Sequence, residues 1–372
     1  MKKIIVNSLF LITLVFLCAG WGPLTHKKIV SKSSLSFNDE MYGFKAWIPF
    51  LEKYASLPDL IRETLPEESK NHFIDLDAYA EFLEKGSINP DYNDLIVTYG
   101  KKFVDEQGLL PWATLHAYDS LVVAIKSADW GNAQIWAAKL AHYVADGHMP
   151  LHLTTNYDGQ QTNNKGIHRR YEENMMNRFM DKVNYDGLDV KEIKNTQSYI
   201  FGYLYSNYRY VQGIMEGDTY GKKMAGASDG DMYYREMWNK TSGFTVPLLE
   251  RASNAYACLL YTAWKNAGSP VVGFLGEDKI FAGKDVVLKA IYWDKDEMSF
   301  KINFVVRKRS FVLLEIRNEK GEKVKTLLKD TLWVGDNTIT WTPDNSVLYG
   351  NYQVILNSPD NVQIKVFPFC AN

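Results

Sequence analysis

A long apolar run that ends in a histidine, an acid and a proline constrains the fold of this chain more than any other feature. The run extends from residue 128 to residue 144, and its apolar positions recur with the period of a helix. His142 and Asp146 are four residues apart at its end, so on a helix they lie on one face and can bind one metal ion. Pro150 then stops the helix. The sequence therefore predicts a buried helix with metal ligands in its last turn.

A second pair of histidine and acid follows at the same spacing. His152 lies just beyond the proline, and His168 and Glu172 are again four residues apart. A single histidine on an apolar helix is most often a hydrogen-bonded core residue. However, four of the seven histidines of the chain fall between residues 142 and 168, and this concentration indicates a metal site. Imidazole and carboxylate ligands favour zinc over manganese or iron.

Three further stretches contain residues of the types that such a site uses. His26 lies close to the amino group that cleavage before Trp21 would create. A free α-amino group has a pKa of about 8, so a metal ion can hold it deprotonated. Asp59 and Arg62 alone would form an exposed ion pair of little worth, but near a metal ion they become a ligand and a phosphate clamp. His72 follows, with an aromatic residue and two acids directly after it.

Charge limits the classes of partner. The formal net charge is −2 at pH 7, whereas a protein that holds duplex DNA on a broad surface needs many basic side chains facing the phosphates. We therefore expect no stable binding of duplex DNA. A small catalytic cleft for a phosphate ester is compatible with this charge, and we expect a monomer.

Residues 1–20 have the pattern of a secretory signal peptide. Two lysines precede an apolar core from residue 4 to residue 17, and small residues occupy the positions three and one before a cut at Trp21. The core is short, which disfavours a membrane anchor, and no other segment approaches the ~20 apolar residues of a spanning helix. We expect an exported periplasmic or extracellular protein with no transmembrane segment. For Cys258 and Cys370, a disulfide and two unpaired thiols both remain open.

The chain changes character after residue 268. Helical periodicity dominates up to residue 265, whereas short β-branched and aromatic runs separated by turn residues follow, for example at 299–306 and 352–356. Six or seven such strands predict a β-sandwich. The predicted domains are therefore helical over residues 21–268 and all-β over residues 275–372. The second domain contains no histidine, so metal chemistry belongs to the helical domain.

The second domain also has a loose resemblance to a known type of module. The stretches 320–324, 339–341 and 349–352 resemble the immunoglobulin-like modules that are appended to many bacterial exported proteins.

The metal-ligand motifs of the helical domain resemble those of zinc-dependent phospholipases C and single-strand-specific zinc nucleases. This superfamily consists of all-helical enzymes with a three-zinc centre, and the resemblance covers residues 21 to about 265. It follows the order of an N-terminal Trp, His, Asp and His, then His-x3-Asp-x5-His and then His-x3-acid. It implies one zinc ion held by Asp59, His72, His142 and Asp146, a second held by His152, His168 and Glu172, and a third held by the amino and carbonyl groups of Trp21 with His26 and Asp146.

The resemblance also implies a mechanism and a choice between two substrates. A hydroxide that bridges two zinc ions would attack a phosphodiester, Asp59 would orient or deprotonate the water, Asp146 would serve two ions, and Arg62 would hold a phosphate oxygen. The start of the mature chain and the Asp59–Arg62 pair resemble the nucleases, in which Phe73 would stack on a base and Asp75 would contact substrate.

The second metal motif resembles the phospholipases instead. Its sequence is His168-x2-Tyr171-Glu172, and Tyr171 would contact substrate. We favour a nuclease on single-stranded DNA or RNA, of endonuclease and 3′-nucleotidase type, because Arg62 would contact the reacting phosphate. The alternatives are a phospholipase C that cleaves phospholipid head groups and a non-catalytic metal-binding adhesion protein.

Overall fold

The computed structural model describes residues 21–62, 65–281, 283–295, 297–344, 347 and 350–369. The predicted signal peptide, residues 1–20, lies outside the described residues, and so does Cys370. Cleavage before Trp21 and the pairing of Cys258 therefore stay predictions. Within the described residues, no helix combines the length and the apolar character that crossing a membrane requires.

Helices make up the first part of the chain, in agreement with the predicted fold class. They are α1 (Pro23–Ser33), α2 (Ile48–Lys53), α3 (Leu57–Arg62), α4 (Ala80–Lys85), α5 (Tyr92–Tyr99), α6 (Lys101–Glu106), α7 (Leu110–Lys126), α8 (Trp130–Asp146), α9 (Ile167–Arg169), α10 (Met176–Phe179), α11 (Thr196–Tyr208), α12 (Val211–Ala225), α13 (Asp231–Asn266) and α14 (Glu277–Ile280). Short 3₁₀ turns connect several of them, and Arg170–Met175 between α9 and α10 is π-helical.

Helix α8 is the apolar helix that the sequence predicts. Its first turn is capped by Asp129, whose side chain accepts a hydrogen bond from the backbone N–H of Asn132. Its last residue is Asp146, so both ligands of the first motif lie on the helix, in its final turn. Small residues such as Ala137 and Ala141 are fully or almost fully buried and let α7 and α13 pack closely against α8.

Two apolar clusters form the helical domain, and α8 contributes to both. Val144 belongs to the larger cluster, which α7 and α11 share, and Ala145 belongs to a smaller one around Trp21 and Tyr171. The ligand positions of α8 therefore lie where the two clusters meet. This position removes the ligands from water, which strengthens every charge interaction among them.

In the described part of the chain, seven antiparallel strands follow the helices, as predicted. They are β1 (Val286–Asp294), β2 (Ser299–Val306), β3 (Ser310–Asn318), β4 (Lys323–Leu332), β5 (Gly335–Trp341), β6 (Gly350–Ser358) and β7 (Asn361–Phe369). One sheet has the order β1-β2-β5 and the other has the order β4-β3-β6-β7. This is the strand order of a constant-type immunoglobulin sandwich, except that β4 pairs with β3 on the opposite sheet. The predicted all-β sandwich is confirmed.

The sandwich packs against the helix that carries two predicted site residues. Ile355 of β6 and Ile364 of β7 join the larger apolar cluster together with Leu60 of α3. Helix α3 also contains Asp59 and Arg62. The β-domain therefore supports one wall of the candidate site through apolar packing, although it contributes no histidine.

A close contact beside His72 gives a test of the fold. Gly108 has a φ of +92°, and a Cβ at this position would lie 2.2 Å from the carbonyl oxygen of Phe73. Gly86 also has a positive φ, +72°, but no heavy atom lies within 4 Å of its hypothetical Cβ. We expect Gly86→Ala to lower the free energy of unfolding by ~1–2 kcal/mol, the cost of a left-handed L-residue.

Gly108→Ala should lower the free energy of unfolding by at least ~3 kcal/mol, because backbone must also move. Denaturant titration of both variants measures the difference. An equal loss of unfolding free energy in the two variants would contradict the close contact between Gly108 and the segment that follows His72.

Candidate metal centre

The carboxylate of Asp146 lies at the centre of a cluster of imidazoles. Its Oδ2 is 3.0 Å from Nδ1 of His72 and 3.1 Å from Nε2 of His142. Its Oδ1 is 3.4 Å from Nε2 of His26 and 3.8 Å from Nδ1 of His152. Asp146 is fully buried. One carboxylate at the end of α8 therefore faces an imidazole of its own helix and three imidazoles from other segments.

Three groups of buried side chains in the described part of the chain could each hold a metal ion. They are His26 with His142 and Asp146, Asp59 with His72 and His142, and His152 with His168 and Glu172. The third group has the composition that the resemblance implies. The first two differ in detail from the implied sets, because His142 belongs to both of them.

Backbone carbonyls orient three of the imidazoles. The pairs are His142 Nδ1 with Ala55 O at 2.9 Å, His152 Nδ1 with His72 O at 2.5 Å, and His168 Nδ1 with Tyr157 O at 3.1 Å. A carbonyl only accepts hydrogen bonds, so Nδ1 carries a proton in each ring, which leaves Nε2 as the atom that can bind a metal ion. This is the arrangement of a metal-ligating histidine, whose second nitrogen is fixed by an outer hydrogen bond.

Several buried nitrogen and oxygen atoms of the candidate metal ligands make no hydrogen bond to any residue that the structure describes. They are both ring nitrogens of His26, Oδ1 of Asp146 and Nε2 of His152. An unsatisfied buried polar atom costs ~1–3 kcal/mol, so such a concentration requires a partner. Divalent cations, which bind nitrogen and oxygen atoms, would be suitable partners for these atoms. The residues present therefore fit the metal ions that the sequence predicts.

Burial favours the neutral form of three imidazoles of the cluster. It lowers the pKa of His26, His72 and His152 well below the usual value, and the neighbouring imidazoles add to this effect. A neutral imidazole is the form that binds a metal ion.

The two buried acids and His142 show the opposite shift. Burial raises the pKa of Glu172 to about 8 and that of Asp146 to about 6. For His142, burial opposes the charge, but Asp146 and Asp59 outweigh it and raise the pKa to about 9. Protons would therefore compete with metal ions for this pocket, and a bound cation would stabilise the ionised acids.

The Asp59–Arg62 pair is buried beside the donors. Nη2 of Arg62 lies 3.3 Å from Oδ1 of Asp59, and the two residues are only 6% and 8% exposed. The same Oδ1 lies 3.7 Å from Nδ1 of His72 and 3.8 Å from Nε2 of His142. The guanidinium is therefore one carboxylate away from the candidate ligands. Its role as a phosphate clamp stays a proposal.

Two residues that the sequence analysis assigns to the site, Tyr171 and Trp21, are buried in the apolar core. Tyr171 is fully buried, and its hydroxyl lies 2.7 Å from the hydroxyl of Thr245. Tyr171 therefore packs in the apolar core, and its contact with substrate stays a prediction. Trp21 is also buried, with its ring 5.7 Å from that of Tyr171, and coordination by its amino and carbonyl groups stays a prediction.

Phe73 and Asp75 remain candidates for substrate contact. Both are partly exposed in the segment that follows His72. Burial, and then the nearby Asp77, raise the pKa of Asp75 to about 7. Contact between these residues and a substrate stays a prediction.

A cavity of about 490 Å³ lies next to the candidate centre. Its lining includes Glu68, Trp112, Trp136, Lys139 and Tyr143. The ring of Tyr143 is 5.9 Å from that of His142 and 6.1 Å from that of His72. The cavity is thus separated from two candidate ligands by one side chain, and it has the size of a small-molecule site. The sequence analysis did not identify it, because its walls come from four segments that only the fold brings together.

Among known proteins, solved structures of bacterial toxins are similar to this chain. No protein-family model and no curated protein matches this chain. Among solved structures, alpha toxin from Clostridium absonum is 14% identical with a TM-score of 0.41, and the match covers 95% of each chain. Alpha-toxin from an avian strain of Clostridium perfringens is 10% identical with a TM-score of 0.45, and the match covers 94% of this chain and 97% of that chain. Similarity at this level carries no argument about activity.

A pair of histidine variants tests the candidate ligands. His152 faces Asp146, whereas His148 in the same stretch donates its Nδ1–H to the carbonyl of Val144 and stacks on Tyr203. Both histidines are buried. We expect His152→Gln to lose about one zinc ion per chain and His148→Gln to lose none. Only His152 belongs to one of the three groups of side chains that could hold a metal ion.

Elemental analysis of the two purified variants measures this difference. The zinc content should be compared with that of the unchanged chain. Equal zinc content in both variants would remove His152 from the centre.

Proposed function

We propose that this protein is a zinc-dependent hydrolase of phosphodiesters. The observation that carries the proposal is the buried carboxylate of Asp146, which faces four imidazoles while Arg62 lies beside the same donors. Histidine and carboxylate ligands at this density favour zinc. A planar guanidinium next to them favours a substrate with a phosphate group.

Each part of the centre has a task in such a reaction. Zinc ions bound to these donors would lower the pKa of a water molecule and neutralise charge on the phosphate. Asp59 lies within 4 Å of two candidate ligands and can orient that water or accept its proton. Arg62 can donate hydrogen bonds to a non-bridging phosphate oxygen as its negative charge increases. The buried position of the cluster excludes bulk water and strengthens these interactions.

An exposed aromatic side chain beside the centre and the identity of the last ligand favour a phospholipid as the substrate. Tyr157 is 39% exposed, and its ring lies 6.0 Å from the ring of His168, which its carbonyl also orients. Apolar side chains at the edge of an active site suit contact with a lipid surface. Glu172 as the last ligand also resembles the phospholipases of the superfamily.

A nuclease is the second candidate. Phe73, which follows the candidate ligand His72 directly, is partly exposed and offers a ring on which a base can stack. Because the observations on Tyr157 and Glu172 favour a phospholipid, a phospholipase C replaces the nuclease as the first choice. Single-stranded DNA or RNA is the alternative substrate. Export through the signal-peptide pattern and a monomeric state belong to the same proposal.

Parallel assays on one preparation test the substrate. The chain beginning at Trp21 should be incubated with phosphatidylcholine vesicles, single-stranded DNA and RNA, before and after zinc is removed by a chelator and restored. We expect zinc-dependent hydrolysis of the lipid. Zinc-dependent cleavage of nucleic acid without lipid hydrolysis would establish the nuclease instead. A chain that holds zinc but hydrolyses none of the substrates would support the metal-binding adhesion protein.

Substitution of Arg62 tests its role as a phosphate clamp. Arg62→Ala should lower kcat on the preferred substrate by about 10²–10³-fold, because one charged donor to the reacting phosphate is lost. Its zinc content should stay unchanged. Arg178→Ala serves as the control, since this arginine pairs with Asp231 and lies over the ring of Tyr234.

Steady-state kinetics and elemental analysis on the same samples separate the possible outcomes. Loss of activity together with loss of zinc would mean that Arg62 supports the metal centre. An unchanged kcat would exclude the clamp.

A further inference from the structure

The segment that carries His168 and Glu172 has an irregular backbone. A long loop of turns, 154–166, leads into α9, and Arg170–Met175 is π-helical. Nε2 of His168 nevertheless lies 3.0 Å from Oε2 of Glu172. A π-helical turn is wider than an α-helical turn, so the spacing of four residues alone does not place these two side chains together. Within the loop, Asp158 accepts a hydrogen bond from the backbone N–H of His168. Contacts from outside the segment add to this.

A fully buried carboxylate on α12 provides these contacts. Asp218 accepts hydrogen bonds from Nδ2 of Asn164 at 2.7 Å, from Nη2 of Arg170 at 2.9 Å and from the hydroxyl of Tyr233. Nζ of Lys222 lies 2.6 Å from its Oδ2. We call these five residues the Asp218 network. Two cations and two neutral donors thus surround one buried carboxylate, so removing it leaves several polar groups without their partner.

Arg170 connects the network to the metal ligands. It lies between His168 and Glu172 in the sequence, at the start of the π-helical turn. Its guanidinium binds Asp218 and also donates to the carbonyl oxygens of Asn164 at 3.0 Å and Lys165 at 2.9 Å. Arg170 therefore holds the start of the π-helical turn to α12, and Asn164 and Lys222 hold the end of the loop to the same helix. This fixes the direction in which the two ligands leave the backbone.

The other two groups of candidate metal ligands are positioned by different elements. His26 lies on α1, Asp59 lies on α3, and His142 lies on α8, where the carbonyl of Ala55 orients its ring. Loss of the Asp218 network should therefore affect one group of donors and leave the other two in place.

We propose that Asp218 is a positioning residue for the metal ion held by His152, His168 and Glu172. It acts through Arg170 and Asn164 and does not touch the ion. The proposal rests on the metal-binding part of the proposed function and is independent of the substrate. Outer residues that orient metal ligands typically change metal affinity by about 10–100-fold when they are replaced.

Zinc titration of an Asp218→Asn variant in competition with a chelator tests the proposal. We expect two zinc equivalents to bind as in the unchanged chain and the third to bind about 10–100-fold more weakly. Glu216→Gln is the matched control, an acid-to-amide change at an exposed position of the same helix, and it should leave all three affinities unchanged. Equal weakening of all three sites, or of none, would overturn the proposal.

A double variant identifies the affected site. His168→Gln removes a ligand of the third group, so Asp218→Asn added to it should cause no further loss of zinc affinity. Additional loss in the double variant would mean that Asp218 acts on a different ion and would overturn the proposal.

A milder variant covers the case in which Asp218→Asn does not fold. Tyr233→Phe removes one hydrogen bond to the carboxylate and keeps the ring. It should weaken the same single site to a smaller extent, and unchanged affinity there would overturn the proposal. An unchanged chain that binds no zinc would instead contradict the proposed function itself.

Discussion

The structure depends on a buried carboxylate that faces four imidazoles. Asp146 is fully removed from water, and burial raises its pKa to about 6. An isolated buried charge of this kind is strongly unfavourable, and neutral imidazoles with unsatisfied nitrogens add to the cost. Divalent cations between these groups convert the same arrangement into a stable one. The candidate site is therefore best understood as a pocket whose polar groups require metal ions as partners.

The scaffold explains how the donors come together. The last turn of α8 lies where two apolar clusters meet, so His142 and Asp146 are buried by packing that is independent of the metal. Carbonyl oxygens of neighbouring segments then orient three of the imidazoles. The irregular segment around His168 is instead fixed by buried polar contacts of Arg170. Apolar packing thus positions one half of the centre and a polar network positions the other.

The sequence predicted those parts of the centre that depend on local spacing. The histidine and acid of α8 are four residues apart on a regular helix, and their proximity follows from helix geometry. His26, Asp59 and His72 come from other segments, and only the resemblance to a superfamily joined them to the site. The sharing of His142 between two groups and the burial of Tyr171 depend on tertiary packing, which no local pattern encodes. The carbonyls that orient the rings leave no side-chain signal at all. For the β-sandwich, alternating strands sufficed to predict the architecture, whereas the transfer of β4 to the second sheet was not predictable from them.

X-ray absorption at the zinc edge, with elemental analysis of the same unsubstituted sample, tests the central claim most directly. The structure predicts three zinc ions per chain, bound by nitrogen and oxygen at ~2.0–2.2 Å without sulfur. A chain that purifies without zinc and takes up none when zinc is supplied would contradict the account. Zinc bound mainly through sulfur would contradict it equally, because the three groups contain no cysteine.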